Sequence, residues 1–315
     1  MPHLNNHIKD QLQLHFIVFI WGFTALLGKY IQADAIALVW NRTWITAVGI
    51  GLFMLWSKYS FKASRKDLLW MAFGGLLIAL HWITFFGAIK VANISITLAA
   101  LSAGAFATAI LTPIFTSKKV DWTELLLGAA VIAGISIIFF EEPKAGEVHT
   151  LSLLGLGWNN YQWGLIIGLI STVLSASFAI LNARLVNTVD SPTSITFYEL
   201  LTANLWITLL WPLAANYFPV KFFPESNGDW IPLILLALLC TAYPFIKSVE
   251  LLKRLTPFSV MLTINMEPVY GIFMAALIFG ADETMDLQFY LGVAIIIGTV
   301  ILNGIIKAKK RAGKV

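Results

Sequence analysis

Residues 128–138, GAAVIAGISII, return as residues 292–302, GVAIIIGTVIL, with five identities and both glycines in register. Beyond these stretches, Lys90 matches Lys253 and Ala105 matches Pro268 at one offset of 163, and Phe23–Lys29 resembles Phe178–Arg184. A chain that echoes itself over this distance reads as two copies of one unit. Apolar helices also look alike by composition, but the charges oppose that explanation. Lys118 and Lys119 close the fourth apolar stretch of the first copy, whereas Asp282 and Glu283 hold the equivalent place in the second.

The units consist of spans. Ten apolar stretches lie at 14–31, 35–56, 68–89, 92–116, 122–140, 161–186, 193–216, 230–252, 257–280 and 287–306, and about 20 such residues cross a bilayer as a helix. The hydrophobic fraction is 58% and the mean hydropathy +0.80 over 315 residues, well above soluble domains, which are roughly half apolar. The formal charge of +4 suggests no nucleic-acid partner, because the cations flank spans and suit anionic headgroups instead. A single cysteine, Cys240 in an apolar run, excludes a disulfide framework. The first apolar run has no small-residue cleavage site and reads as a span rather than a signal peptide.

Orientation follows from the loops. With the N-terminus in the cytoplasm, 16 Lys and Arg fall on that side and four, Lys29, Lys90, Lys144 and Lys221, on the other. The far loops are acidic, with Glu141, Glu142 and Glu147, then Asp282, Glu283 and Asp286. Both termini are therefore expected in the cytoplasm. Each copy holds five spans, an odd number, so the second must enter the membrane inverted. The expectation is an all-α membrane protein of ten transmembrane helices in two inverted five-helix repeats, residues 14–140 and 161–306. Inverted repeats mark secondary transporters, with substrate held near the midplane between them.

Several residues then resemble a known family. Trp21-Gly22 followed by Lys29, Arg42 in the second span, and the succession Glu267-Pro268, Glu283, Gly292 are similar to the EamA-type permeases of the drug/metabolite transporter superfamily. The likeness spans about residues 14–306. Repeat one departs from the pattern, with Ala105 where the family has proline and Lys118 where it has glutamate, which leaves the bend of its fourth helix open. The resemblance implies ten helices in two inverted bundles, movement of small metabolites such as amino acids, and no ATP hydrolysis. The chain agrees on the last point: it has no G-x-x-x-x-G-K-[ST] loop.

Polar side chains at membrane depth are costly and usually face a bundle interior or aqueous cavity. Arg42, flanked by Trp40, Asn41 and Trp44, suits a substrate carboxylate held by two hydrogen bonds with tryptophans stacked beside it; a buried salt bridge or interfacial anchor is the plainer reading. His81, followed by Trp82, suits proton coupling or a satisfied core histidine. Glu267, beside Pro268 and two residues after Asn265, suits a cation or proton site, or a structural partner for a buried cation. Glu199, beside Tyr198 and near Asn204, occupies the inverted counterpart of Arg42 to within two positions. Opposite charges flanking one cavity would suit a zwitterion; they would equally neutralise each other. Lys247 and Glu250 share a helix face and read as a structural pair. Trp21, Arg42, Trp44, His81, Trp82, Tyr198, Glu199, Asn204, Asn265 and Glu267 are thus the candidate substrate-binding set.

The function expected is a permease of the inner membrane, working by alternating access on ion or substrate gradients, with the bilayer and a small molecule as partners. No cofactor is expected. A lipid-modifying enzyme is the second class, disfavoured by acids scattered singly and the lack of an H-E-x-x-H or aspartate-rich motif. A passive channel is a further alternative, separable by saturable exchange.

Overall fold

The computed structural model describes residues 2–116, 122–140, 150–151, 156–216, 219–224 and 226–312. The expectations that fall on Lys118, Lys119, Lys144 and the acids at 141, 142 and 147 lie outside these residues. The described chain runs α1 (Pro2–Tyr30), α2 (Ala35–Trp56), α3 (Arg65–Val91), α4 (Ile94–Leu101), α5 (Gly104–Phe115) and α6 (Trp122–Phe139). A two-residue antiparallel pair follows, β1 (Thr150–Leu151) with β2 (Trp158–Asn159). Then come α7 (Asn160–Leu185), α8 (Pro192–Ala214), α9 (Trp230–Ile234), a π-helical segment (Leu235–Ala242), α10 (Tyr243–Leu251), α11 (Pro257–Ile264), α12 (Glu267–Phe279) and α13 (Leu287–Ala312). Among the described residues, seven helical stretches are long and apolar enough to cross a membrane. α6 and α13 hold shorter apolar stretches, Ala130–Phe139 and Leu287–Thr299. α8 has the length but is more polar, carrying Glu199 and Asn204.

Helix starts follow capping chemistry, because a side-chain oxygen satisfies an amide that the first turn leaves free. Ser64 accepts from Asp67 N, Asn93 from Ile96 N, and Asn159 with Gln162 forms a full capping box. Ser191 and Thr256 cap helices whose first residue is Pro192 or Pro257.

The expected continuous spans 92–116 and 257–280 are each two helices, so α4–α5 and α11–α12 form two broken rods. The breaks correspond. The caps Asn93 and Thr256, and the break residues Ser102–Ala103 and Asn265–Met266, are separated by the same offset of 163 that relates Lys90 to Lys253. At the breaks the backbone flattens toward the tighter 3₁₀ geometry, with ψ of −20° and 0° at Ser102 and Ala103 and −4° and −16° at Asn265 and Met266. The first half of the chain therefore breaks at the position matching the break in the second, although it has no proline there. The two lysines act alike as well. Lys90 Nζ donates to Ile31 O in the α1–α2 link, and Lys253 Nζ to Asp190 O in the α7–α8 link.

The packing of one half repeats with partners exchanged. α3 lies on α7 and α8 while α1 and α2 lie on the α9–α10 region; α2 packs on α8, α4 on α12, α5 on α11 and α6 on α13. At the α6–α13 crossing a Cβ on Gly134 would come 2.8 Å from Gly292 O, and one on Gly292 would come 2.8 Å from Gly134 O. Bare backbones touch there, as small residues permit in lipid. Gly75 likewise lies against α8, whereas Gly298 faces open space.

Loop contacts gather the connections into two ends. At one, Tyr198 Oη donates to Phe61 O, Ser194 Oγ to Ser60 O, and Arg254 pairs with Asp10 at 2.9 Å. At the other, Lys29 meets Glu283, Gln32 N donates to Asp229, and Asn93 reaches Met285 Sδ. The first end carries the cation-rich loops and the second the acidic ones.

Candidate functional site

The two broken rods cross at their breaks. A Cβ on Gly104, the first residue of α5, would lie 2.7 Å from Met261 Cε and 3.7 Å from Asn265 Oδ1. Glu267 is the equivalent first residue of α12. Its carboxylate therefore stands at a helix N-terminus, where the peptide dipoles favour negative charge.

Beside this crossing lies a cavity lined by Trp21 and Thr24 of α1, Arg42 of α2, His81, Trp82 and Phe85 of α3, Asn182 and Phe178 of α7, Phe245 and Ser248 of α10, and Glu267. Its volume is about 90 Å³, room for about three waters at roughly 30 Å³ each. The walls must part before a larger solute can sit there.

Arg42 is 2% exposed and held in a fixed pose. Its Nε donates to Thr241 Oγ1 at 2.7 Å, and its Cζ lies 3.8 Å from the Trp82 ring centroid and 5.6 Å from that of Phe86. The π-helical segment places the threonine, since Thr241 Oγ1 itself donates back to Leu236 O, five residues earlier. Thr46 Oγ1 ties the same segment to α2 through Ala237 O. π-segments recur at functional sites because the wider turn re-aims side chains. Arg42 Nη1 is left without a hydrogen-bond partner, as is Thr24 Oγ1. Among the described residues no ion pair joins Arg42 to Glu267, although both face the cavity.

His81 Nδ1 lies 3.0 Å from Ser171 O and 2.8 Å from Ser171 Oγ, and Ser171 Oγ donates to His81 O. With its hydroxyl proton so used, Ser171 offers acceptors only, so the ring carries its proton on Nδ1. Nε2 is then the acceptor in the neutral form.

Trp21, Arg42, His81, Trp82 and Glu267 thus share one cavity. The other five candidates do not line it. Trp44 Nε1 donates to Asn41 Oδ1, and Trp44 sits with Trp40. Tyr198 reaches Phe61 O at the cation-rich end. Asn204 Nδ2 donates to Trp40 O and Thr43 Oγ1, bolting α8 to α2. Asn265 is buried at the break with neither side-chain atom partnered. Glu199 lies behind the wall, touching the cavity only through Asn182. The idea that Glu199 and Arg42 flank one cavity therefore gives way to Arg42 facing Glu267. Helix rotation is the reason: residues two apart, such as Arg42 and Trp44, point to different sides.

Thr241, Thr24 and Asn182 were not singled out as binding residues. Lone threonines in apolar runs carry no readable signal; the polar spacing of Ser171, Ser175 and Asn182, three to four residues apart and seven further on, would have marked the inward face of α7.

The comparisons agree with this architecture. Residues 162–305 match the model of the EamA-like transporter family, so the resemblance noted in the sequence holds over the second half. No curated protein matches the chain. A solved crystal structure shares 12% identity, covering 96% of this chain and 98% of its own with a TM-score of 0.66. At that identity the likeness is one of fold, and it runs the full length.

Proposed function

We propose that this chain, whose second half is an EamA-like transporter segment, is a multi-pass permease for a small metabolite bearing a carboxylate and an apolar or aromatic body. The observation that carries the reading is a guanidinium and a carboxylate turned on one aromatic-walled cavity without pairing. A buried, unpaired donor such as Arg42 Nη1 costs about 1–3 kcal/mol, or more for a charged group, and a bound carboxylate offsets that cost. Arg42 takes the carboxylate, Trp82 and Phe85 cover the apolar part, and Glu267 receives an ammonium where the solute has one, as an amino acid does.

Ten spans in two inverted five-helix bundles, residues 14–140 and 161–306, supply the movement. The corresponding breaks at Ser102–Ala103 and Asn265–Met266 support this, since broken helices at the centre are where such repeats hinge and bind. The cation-rich end lies in the cytoplasm of a cell whose inner membrane houses the chain, with both termini on that side.

Purified protein in liposomes, loaded with unlabelled solutes from an amino-acid and carboxylate panel, should take up the matching labelled solute by counterflow without nucleotide. Arg42→Ala should abolish it. Uptake that never saturates would mean a channel, and a covalent lipid product without exchange would mean an enzyme; either result overturns the reading.

A further inference from the structure

Glu199 on α8 is 0% exposed and lies one side chain behind the cavity. Its Oε2 accepts from Asn182 Nδ2 at 3.4 Å, while its Oε1 has no partner. Asn182 lines the cavity, and its Oδ1 is equally without a partner. α3 makes room for the carboxyl with Gly74, where a Cβ would stand 2.6 Å from Oε1.

A carboxylate and an amide oxygen are both acceptors only. An ionised Glu199 would leave both its Oε1 and Asn182 Oδ1 buried and unsatisfied. A protonated Glu199 has one O–H. That donor completes a two-bond ring with the amide: Nδ2–H to Oε2, and Oε1–H to Oδ1. The pair then satisfies itself with no counter-charge.

Among the described residues no counter-charge pairs with Glu199. Of the charged and titratable groups on the packed elements, Arg42 of α2 is held by Thr241 and Trp82, and His81 of α3 by Ser171. Arg184 of α7 stacks 4.9 Å over the Trp70 ring, and Lys247 and Glu250 of α10 pair with each other at 2.8 Å. Tyr198, next to Glu199, donates to Phe61 O. None of these, among the described residues, hydrogen-bonds or pairs with Glu199.

We propose that Glu199 is the proton carrier of this transporter: it is protonated in the closed state and exchanges one proton per cycle with the cavity through Asn182. When the cavity opens, water reaches Asn182 and the ring breaks. The proton leaves Oε1 for that water, and Asn182 Nδ2 stays on the resulting carboxylate. Reprotonation from the opposite side restores the ring. The proposal rests on the permease reading, yet the proton can be observed without any substrate.

The substrate-free test is infrared difference spectroscopy of the full chain on a pH jump. A protonated-carboxyl C=O band should appear in the wild type, be absent in Glu199→Gln and shift in Asn182→Ala. The glutamine preserves the ring, donating to Oδ1 and accepting from Nδ2, so Glu199→Gln should melt no lower than wild type. In liposomes it should keep solute counterflow while losing accumulation driven by an imposed pH gradient. Glu199→Asp keeps a carboxyl that falls short of Asn182, so it should retain pH-driven accumulation with a displaced pH profile. Wild type without counterflow would defeat the permease reading but not the infrared assignment. Glu199→Gln with an unchanged band, a marked loss of melting temperature, or undiminished pH-driven accumulation would overturn the proposal, as would an unshifted profile in Glu199→Asp.

Discussion

Replacing Glu283 by alanine should loosen the acidic end of the molecule more than any other single charge change there. The Glu283 side chain is 0% exposed. Oε1 accepts from Lys29 Nζ at 2.8 Å and from Ile94 N at 3.1 Å; Oε2 accepts from Ser95 N at 3.0 Å and Ser95 Oγ at 3.1 Å. One carboxylate from the second half thereby closes the first turn of α4 and anchors α1. Alanine leaves two buried amides unsatisfied, at about 1–3 kcal/mol each. The lysine adds little, because its side chain is 25% exposed and can swing its ammonium to water. The Asn93 cap and the Ser95 Oγ bond to Glu283 O survive the change. The total is about 2–6 kcal/mol, and at roughly 2 °C per kcal/mol for a chain this large the melting temperature in detergent should fall by about 4–12 °C. Lys29→Ala should cost much less. If Glu283→Ala melts with the wild type, or Lys29→Ala costs as much, the carboxylate does not hold this end by capping α4.

Other changes have distinct expectations. Arg42→Lys loses the Nε bond to Thr241 and most of the stack on Trp82, together about 1.5–3 kcal/mol, so substrate affinity measured by counterflow should drop roughly 10–100-fold. Tyr198→Phe removes only the bond to Phe61 O; it should leave substrate affinity within about twofold and cost about 1 kcal/mol in a thermal melt. Gly134→Ala places a methyl against Gly292 O and should cost about 1–3 kcal/mol by overpacking, with Gly292→Ala costing the same by reciprocity. The Asp10 hydrogen bond holds the Arg254 guanidinium above its usual range. Their pair is 43% and 13% exposed, however, so Asp10→Asn should shift the melt by under about 1 kcal/mol and less in high salt.

The helices were legible because lipid leaves a chain few choices: each span must satisfy its own backbone, so apolar length reports structure directly. The loops α1–α2 and α3–α4, only a few residues each, were likewise found where expected. The break in the second half could be anticipated from Pro268, which lacks a donor. The break at Ser102–Ala103 could not, since nothing in that pair signals a tight turn and only the offset from Asn265–Met266 points to it. At the site, depth was readable and rotation was not. Arg42, His81 and Glu267 sit at membrane depth and face inward; Trp44 and Asn204 sit near the same depth and bind neighbouring helices. Thr241 reaches Arg42 through a π-segment that apolar LLALLCTA does not announce, and Asn182 near the end of α7 is marked only by its spacing from Ser171 and Ser175. Glu283 was readable as a negative charge in an acidic loop, but its role as the cap of α4 depends on the other half of the molecule.

If the second half is an inverted copy of the first, Lys90 and Lys253 are the matched residues that expose it most directly. Each should be replaced by cysteine in a Cys240→Ser background and labelled in sealed vesicles with a membrane-impermeant thiol reagent. The two positions should label from opposite sides, Lys253→Cys from the compartment that holds the N-terminus and Lys90→Cys from the other. Labelling of both from the same side would contradict the inverted duplication and the central cavity built on it.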